Sequence, residues 1–229
     1  MKTILAIDTA TEACSVALLY EGNITTISEL SPRTHTQRIL PMIDELLNQS
    51  NITLKQIELL AFGRGPGSFT GLRVGVGIAQ GLAFGGNLPV VPVSNLLMMA
   101  EQAYQQFGKT EVIALIDARM NEVYFAQFSR NTSEWTTIVT EQVCSPICAI
   151  KQFKLENNPT IVGTGWLAYS QFSELNPTIQ PNEITLPSAE FMLPLAMNEA
   201  KIGNIHSALD IEPVYLRNEV TWKKLPNKV

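Results

Sequence analysis

Four groupings along the chain carry side chains able to do chemistry. Asp8, Thr9 and Thr11 stand in DTATEACS, at the turn between two β-prone runs. Hydroxyls and backbone amides there can cradle a phosphate, and a carboxylate can hold a metal ion or a water; the same residues also serve as ordinary turn formers, and both readings stand. Ser68, in GRGPGSFTG, would need a base to act as a nucleophile, and the chain offers only two histidines, His35 and His206. The segment is not a P-loop, because no Lys-Ser/Thr follows its last glycine. Nor is it a Gly-x-Ser-x-Gly elbow, because Ser68 follows Gly67 directly. Arg33, His35, Gln37 and Arg38 read as a loop ahead of the first long helix, overhanging a cleft, with His35 closer to a hydrogen-bonding surface residue than to a ligand. Cys144 and Cys148 are four apart with no second pair and no nearby histidine, so they read as buried small side chains rather than zinc ligands. No three coordinating side chains fall at metal-ligand spacing, and no metal site is expected.

The elements that position these residues follow from apolar periodicity and turn signals. Thr3 to Thr9, Ser15 to Tyr20 and Ile24 to Leu30 read as three strands in a meander. Ile39, Leu40, Ile43, Leu46 and Leu47 recur at helical spacing, with Pro41 opening or kinking that helix and Asp44-Glu45 in its first turn. Ile57 to Phe62 is a strand entering a Gly-Pro-Gly turn. Ser68 or Thr70 then caps a helix that Gly85-Gly86 closes. Within it Gly71 and Gly75 are one turn apart, and Gly77, Gly81 and Gly85 repeat that spacing. Each interior glycine costs roughly 0.5–1 kcal/mol against alanine, so the stripes imply a helix packed tightly against another helix, in the core or at a subunit interface. Val90 to Val93 is a strand, and Ser94 caps a helix running to Phe107.

At about Gly108 the order begins again. Strands are expected over 111–117, 123–128 and 135–143, a short helix over 146–153, a strand over 160–162 ending in Gly163-Thr164-Gly165, and a helix over 166–172. After a Pro-rich loop, Ser188 caps a helix ending at Gly203, a short strand covers Val214 to Leu216, and Lys223 to Val229 reads as frayed. Both halves thus read as three strands, helix, strand, helix. That order implies two α/β domains, 1–107 and 108–229, facing each other across a ligand cleft, with the tail from about residue 205 free to belong to either.

The 229 residues suffice for a real core, and 16 basic against 21 acidic residues argue against a broad nucleic-acid-binding face. Val74 to Ala100 carries no charge, but the prolines, asparagines and glycines within it split it into a buried helix and strand, so no membrane span is expected. Three cysteines without an export signal suit the cytoplasm.

Taken together, IDTAT, RTHTQRILPMIDELL, FGRGPGSFTGLRVGVGIAQGLAFG, PVVPVSNL, LIDARMNEVYFAQF and EPVYLR resemble the bacterial TsaB family, also called YeaZ. The resemblance spans nearly the whole chain and is loosest over 150–205. It implies an α/β protein of two duplicated domains with the actin/Hsp70/hexokinase-like (ASKHA) fold, mixed sheets flanked by helices. It also implies a cytoplasmic, non-catalytic subunit for making N6-threonylcarbamoyladenosine beside the anticodon of tRNAs reading codons that begin with A. The family's partner is TsaD, a paralogous transferase, together with TsaE. ATP and metal belong to those partners, no cofactor is expected here, and tRNA is met through the complex.

TsaD holds a metal through an H-x-x-x-H pair after the strand that here reads PVVPV; those positions fall at Asn95 and Met99. Active ATPases of the fold carry glycines where this chain has Ala118, Arg119 and Met120, so a tight nucleotide grip is lost while Arg119 can still meet an anion. Asp8, Thr9, Thr11, Arg119, Gly163 and Gly165 then mark a degenerate phosphate or nucleotide cleft, with Arg33 and His35 on its loop. The family pairs, as a homodimer or with TsaD, through its first two helices. That places Ile39, Leu40, Ile43, Leu46 and Leu47, and Leu72, Gly75, Val76, Ala79 and Ala83, at the interface. The competing readings are a weak ATPase or phosphotransferase using Asp8 and a peptidase, the superfamily's older label, which lacks a triad or metal ligands.

Overall fold

The computed structural model describes residues 2–217, so the expected fraying at Lys223 to Val229 lies outside the described residues. The first sheet is built from β1 (Ile4–Asp8), β2 (Ala13–Tyr20), β3 (Asn23–Leu30), β4 (Leu59–Gly65) and β5 (Val90–Ser94), in the order β3-β2-β1-β4-β5. The second contains β6 (Glu111–Arg119), β7 (Glu122–Arg130), β8 (Trp135–Cys144) and β9 (Thr160–Val162), in the order β8-β7-β6-β9. In each, a three-stranded antiparallel meander gains a parallel strand beside its first member: β4 beside β1, β9 beside β6.

The central strands β1 and β4 open on apolar runs, residues 4–7 and 59–62, because both of their faces are covered. Along β1, Leu5 and Ile7 join one core cluster with Ile39, Met42 and Leu46, while Ile4 and Ala6 join another with Phe191, Met192 and Leu195. Edge strand β3 alternates exposed and half-buried residues. The first cluster is closed by α1 (His35–Gln49) and α2 (Phe69–Gly86). Helix α3 (Asn95–Phe107) is shared, sending Met98 into the first sheet's core and Leu96, Met99 and Ala103 into the second's. The second sheet's other face is covered by α4 (Pro146–Gln152), α5 (Gly165–Ala168) and α6 (Gln171–Leu175).

Several expectations are corrected. Helix α1 starts before Pro41, at His35, so Pro41 lies inside it, exposed, and Asp44 and Glu45 lie well past its first turn. His35, Gln37 and Arg38 are therefore helical, and Arg38 is held by Glu29 through bonds of 2.7 and 3.0 Å. Gly85 and Gly86 do not close α2; Asn87 does, in the left-handed conformation at φ 50°. The single helix expected over 166–172 is broken at Tyr169, whose backbone is extended. Helix α7 (Met192–Lys201), expected with the second unit, packs on the first sheet, because Phe191, Met192 and Leu195 cover the face that α1 and α2 leave open.

The tail stays with the first sheet until its last described residues. His206 pairs with Val90 in an antiparallel bridge, Ile211 is buried in the first core, and Gln80 donates to its carbonyl at 3.2 Å. Val214 to Leu216 is not a strand; the Val214 amide makes one backbone bond to Arg64, at 2.8 Å.

Candidate functional site

Between the sheets lies a cavity of about 830 Å³, walled by the β1–β2 turn, the starts of α1 and α2, the end of β6, and Thr164 and Arg217. Of the residues singled out from sequence, Thr11, Arg33, His35, Ser68, Ala118 and Arg119 line it. Asp8, Thr9, Gly163 and Gly165 do not; they are packed behind its wall, and each has a local physical task.

Thr9 donates its hydroxyl to the Gly71 carbonyl at 2.8 Å, pinning the β1–β2 turn to the first turn of α2. That contact explains the first glycine stripe. A Cβ on Gly71 would collide with the Thr9 carbonyl, and one on Gly75 would lie 2.8 Å from Thr9 Oγ1. The stripe thus receives the β1–β2 turn and not another helix, which corrects the expectation. Gly77, Gly81 and Gly85, by contrast, face open space. Gly163 and Gly165 let β9 and α5 close on β6, since side chains there would run into Leu115. Thr164 between them accepts from the Asp117 amide at 3.0 Å.

Asp8 is fully buried. Its Oδ1 accepts from Asn95 Nδ2 at 2.7 Å and from the Ala10 amide at 3.4 Å, and its Oδ2 meets no partner among the described residues. Burial pushes its carboxyl up to about 6, against the pull of those hydrogen bonds. Asn95 also accepts from the Gly65 amide at 2.9 Å, so both ends of its amide are engaged. A Cβ on Gly63 would fall onto Asp8 Oδ1, which is why the strand can pass so close. Met99 is fully buried among Leu96, Ala100 and Ala103.

Arg119 sits in a strained turn: Arg119, Met120 and Asn121 have φ of 60°, 57° and 60°, a run rarely adopted by side chains other than glycine. Its guanidinium pairs with Asp117 at 2.9 Å and reaches across the cleft mouth to Glu12 at 3.2 Å. It is therefore already engaged, although 74% exposed, and such surface pairs contribute little. Asp117 also accepts from Tyr169 at 2.7 Å; burial first, then this carboxylate, pushes the Tyr169 phenol up to about 12.

Sequence reasoning missed the residue that holds this turn. Arg217 lines the cavity, donates to the Ala118 carbonyl at 3.0 Å and pairs with Glu122. Two residues earlier, the Tyr215 hydroxyl accepts from Arg73 Nε at 3.1 Å, and its ring lies 5.4 Å from that of Phe69 on α2. The tail thus runs from α2 to the β6–β7 turn. A second inter-sheet link, also unforeseen, joins Arg64 to Glu141 at 2.9 Å, with Ser94 bonded to the same carboxylate.

Ser68 caps α2 by accepting from the Gly71 amide at 3.5 Å, and no hydrogen bond joins it to a histidine among the described residues. Among those residues no group of three or more His, Cys, Asp or Glu is placed to hold a metal, and no helix is long and apolar enough to cross a membrane.

Of the ten residues expected at an interface, Ile39, Ile43, Leu46, Leu72, Gly75, Val76, Ala79 and Ala83 are buried within the chain itself. Leu40 is 47% exposed and Leu47 is half-buried, so on these helices a partner would meet them, Gly77, Gly81, Gly85 and Phe84.

The class that the fold defines is a two-sheet α/β protein in which each antiparallel meander gains a parallel strand. The family model described as TsaD, tRNA N6-adenosine threonylcarbamoyltransferase, matches residues 24–203. Within that class, the chain is 58% identical to a Haemophilus influenzae protein over 99% of its own length and 98% of the relative's. It is 50% identical to one from Escherichia coli, over 98% and 99%. Both are named tRNA threonylcarbamoyladenosine biosynthesis protein TsaB. The structure of YeaZ from Pseudomonas aeruginosa, 40% identical, superposes with a TM-score of 0.86 over 94% of this chain and all of that one. A further Pseudomonas aeruginosa structure, described as an uncharacterized protein with similarity to peptidase YEAZ, gives 0.87 at 40% identity over 95% of this chain and all of that one. The chain belongs to the TsaB (YeaZ) family.

Proposed function

We propose that the chain is a catalytically silent subunit in the synthesis of N6-threonylcarbamoyladenosine on tRNA, acting as scaffold and activator of the TsaD transferase together with TsaE. The names of relatives that cover almost its whole length support the pathway. The observation that carries the silent role is Asn95. The resemblance puts it where TsaD keeps a metal-binding histidine, and here its amide is spent on Asp8 and Gly65 while Met99 is core. The matching strand orders of the two sheets support duplicated domains of the actin/Hsp70/hexokinase-like fold.

In this reading the exposed side of α1 and α2, with Leu40, Gly77, Gly81 and Phe84, pairs with a second copy of the chain or with TsaD. The partners supply ATP and metal, and tRNA is met through the complex, in the cytoplasm. Peptidase chemistry finds no serine-histidine pair among the described residues.

A second reading, a weak ATPase or phosphotransferase, draws on one observation, the unpartnered Oδ2 of Asp8 beside a cavity large enough for a nucleotide. Against it, Asp8 does not reach the cavity wall. Titration with ATP and Mg²⁺ separates the two. Saturable heat that disappears in Asp8→Ala overturns the silent reading, and absence of heat together with complex formation on mixing with TsaD supports it.

A further inference from the structure

Outside the cleft, one pair of nucleophilic side chains has no task in anything described above. Cys144 is the last residue of β8 and Cys148 lies in the first turn of α4. They flank Ser145, whose hydroxyl caps the helix by accepting from the Cys148 amide at 3.3 Å and so folds the first turn back over the strand end. Gln142 and Cys144 share a face of β8, and Gln152 meets both Gln142 and the Cys148 sulfur, which places the two thiols on the same side of the strand end. Cys148 is exposed, correcting the expectation of two buried cysteines, while Cys144 is half-buried against the core that contains Phe125 and Ala149. Cys14 is fully buried in β2 and touches neither.

The surroundings already hold the closure. Gln142 on β8 and Gln152 at the end of α4 exchange amide hydrogen bonds of 2.9 and 3.2 Å. Gln152 Nε2 also lies 3.2 Å from the Cys148 carbonyl and 3.5 Å from its sulfur. Strand and helix are thus tied beside the thiol pair by weak bonds that a covalent one would reinforce.

We propose that Cys144 and Cys148 form a redox-active dithiol, a modification site that closes to an intramolecular disulfide in the presence of a small-molecule disulfide such as oxidised glutathione. Exposure sets the order of steps. The Cys148 thiolate attacks one sulfur of oxidised glutathione, breaks its S–S bond and expels one glutathione thiolate, leaving a mixed disulfide on Cys148. Cys144 then attacks the Cys148 sulfur, releases its proton to water and expels the second glutathione. The protein is oxidised by two electrons and loses two hydrogens, and the reagent is reduced to two thiols. Burial pushes the Cys144 thiol up to about 12, so it is the poorer group for attack from solution, and its step depends on the neighbouring mixed disulfide on Cys148. Because β8 also carries Glu141, which pairs with Arg64 of the first sheet, the disulfide would tie α4 to a strand that links the two sheets.

The test is to incubate the folded chain with oxidised glutathione, unfold it in urea, alkylate the remaining thiols and map the products by mass spectrometry. The expected result is a fall from three alkylatable thiols to one, with a cross-link between Cys144 and Cys148 that dithiothreitol reverses. Cys144→Ser should stop at a glutathione adduct on Cys148, and Cys148→Ser should remain unmodified. A wild-type chain that keeps three alkylatable thiols, accumulates a stable adduct on Cys148, or dimerises through Cys148 overturns the proposal.

Discussion

Asn95 donates a hydrogen bond of 2.7 Å to Asp8, eighty-seven residues away in the chain. The pair joins the first strand to the start of α3 behind the cleft wall, and through the Gly65 amide it also holds the end of β4. Three elements that converge on the cleft therefore meet at one amide side chain.

The pH dependence of stability should report this pair. Burial raises the Asp8 carboxyl from 3.8 to about 6, so the folded chain binds its proton more readily than the unfolded one. Below the lower value both states are protonated and no charge is buried, so the ionisation penalty is absent. Above the higher one both are ionised and the native state carries the whole penalty, about 3 kcal/mol at roughly 1.4 kcal/mol per pH unit. Asp8→Asn, which keeps an acceptor for Asn95, should gain on the parent by about that amount as the pH rises from about 4 to about 6, and hold the gain above that, in urea denaturation. Parallel stability profiles for parent and variant would contradict the assignment.

Gly75 and Gly81, on the same helix, should respond oppositely to enlargement. Gly75→Leu drives a side chain into Thr9 and should destabilise the folded chain by about 1–3 kcal/mol or more. Gly81→Leu has room in the monomer, so its thermal midpoint should stay near the parent's while sedimentation shows weaker self-association. Normal association of a folded Gly81→Leu variant would remove this stripe from the pairing surface.

These glycines also show where sequence stops being legible. Their spacing marks a close approach, but the partner of Gly71 and Gly75 is a turn whose Thr9 lies 62 residues before Gly71, which periodicity cannot name. The strands were readable because both faces of β1 and β4 are buried over the apolar runs at residues 4–7 and 59–62. The start of α1 was not, since Thr36, Gln37 and Arg38 give no apolar rhythm and Pro41 suggests a beginning. Asn95 reads as an ordinary residue after a helix cap, and Arg217 as one basic residue in a tail. Their tasks depend on atoms brought together only by folding.

Arg217→Ala should loosen the β6–β7 turn. It removes the bonds to the Ala118 carbonyl and to Glu122 that hold three consecutive left-handed residues. A loss of about 1–2 kcal/mol is expected, with faster amide exchange localised to residues 118–122. Exchange that rises evenly over the chain would argue that Arg217 has no particular hold on this turn.

Glu101 is 2% exposed and accepts from Arg130 at 3.1 Å and Trp135 at 2.7 Å. Glu101→Ala leaves a mostly buried guanidinium without its carboxylate and should cost about 3–5 kcal/mol in urea denaturation. A loss below 1 kcal/mol would mean that the Tyr104 and Trp135 rings alone can hold the cation.

The most direct measurement is threonylcarbamoyl transfer to tRNA in a reconstituted system containing TsaD, TsaE and the threonylcarbamoyl adenylate, with and without this chain, and with Asp8→Asn in its place. A silent activator predicts turnover that depends on the chain and is retained with a folded Asp8→Asn variant. Turnover that is independent of the chain, or that is abolished by Asp8→Asn while the complex still assembles, would contradict it.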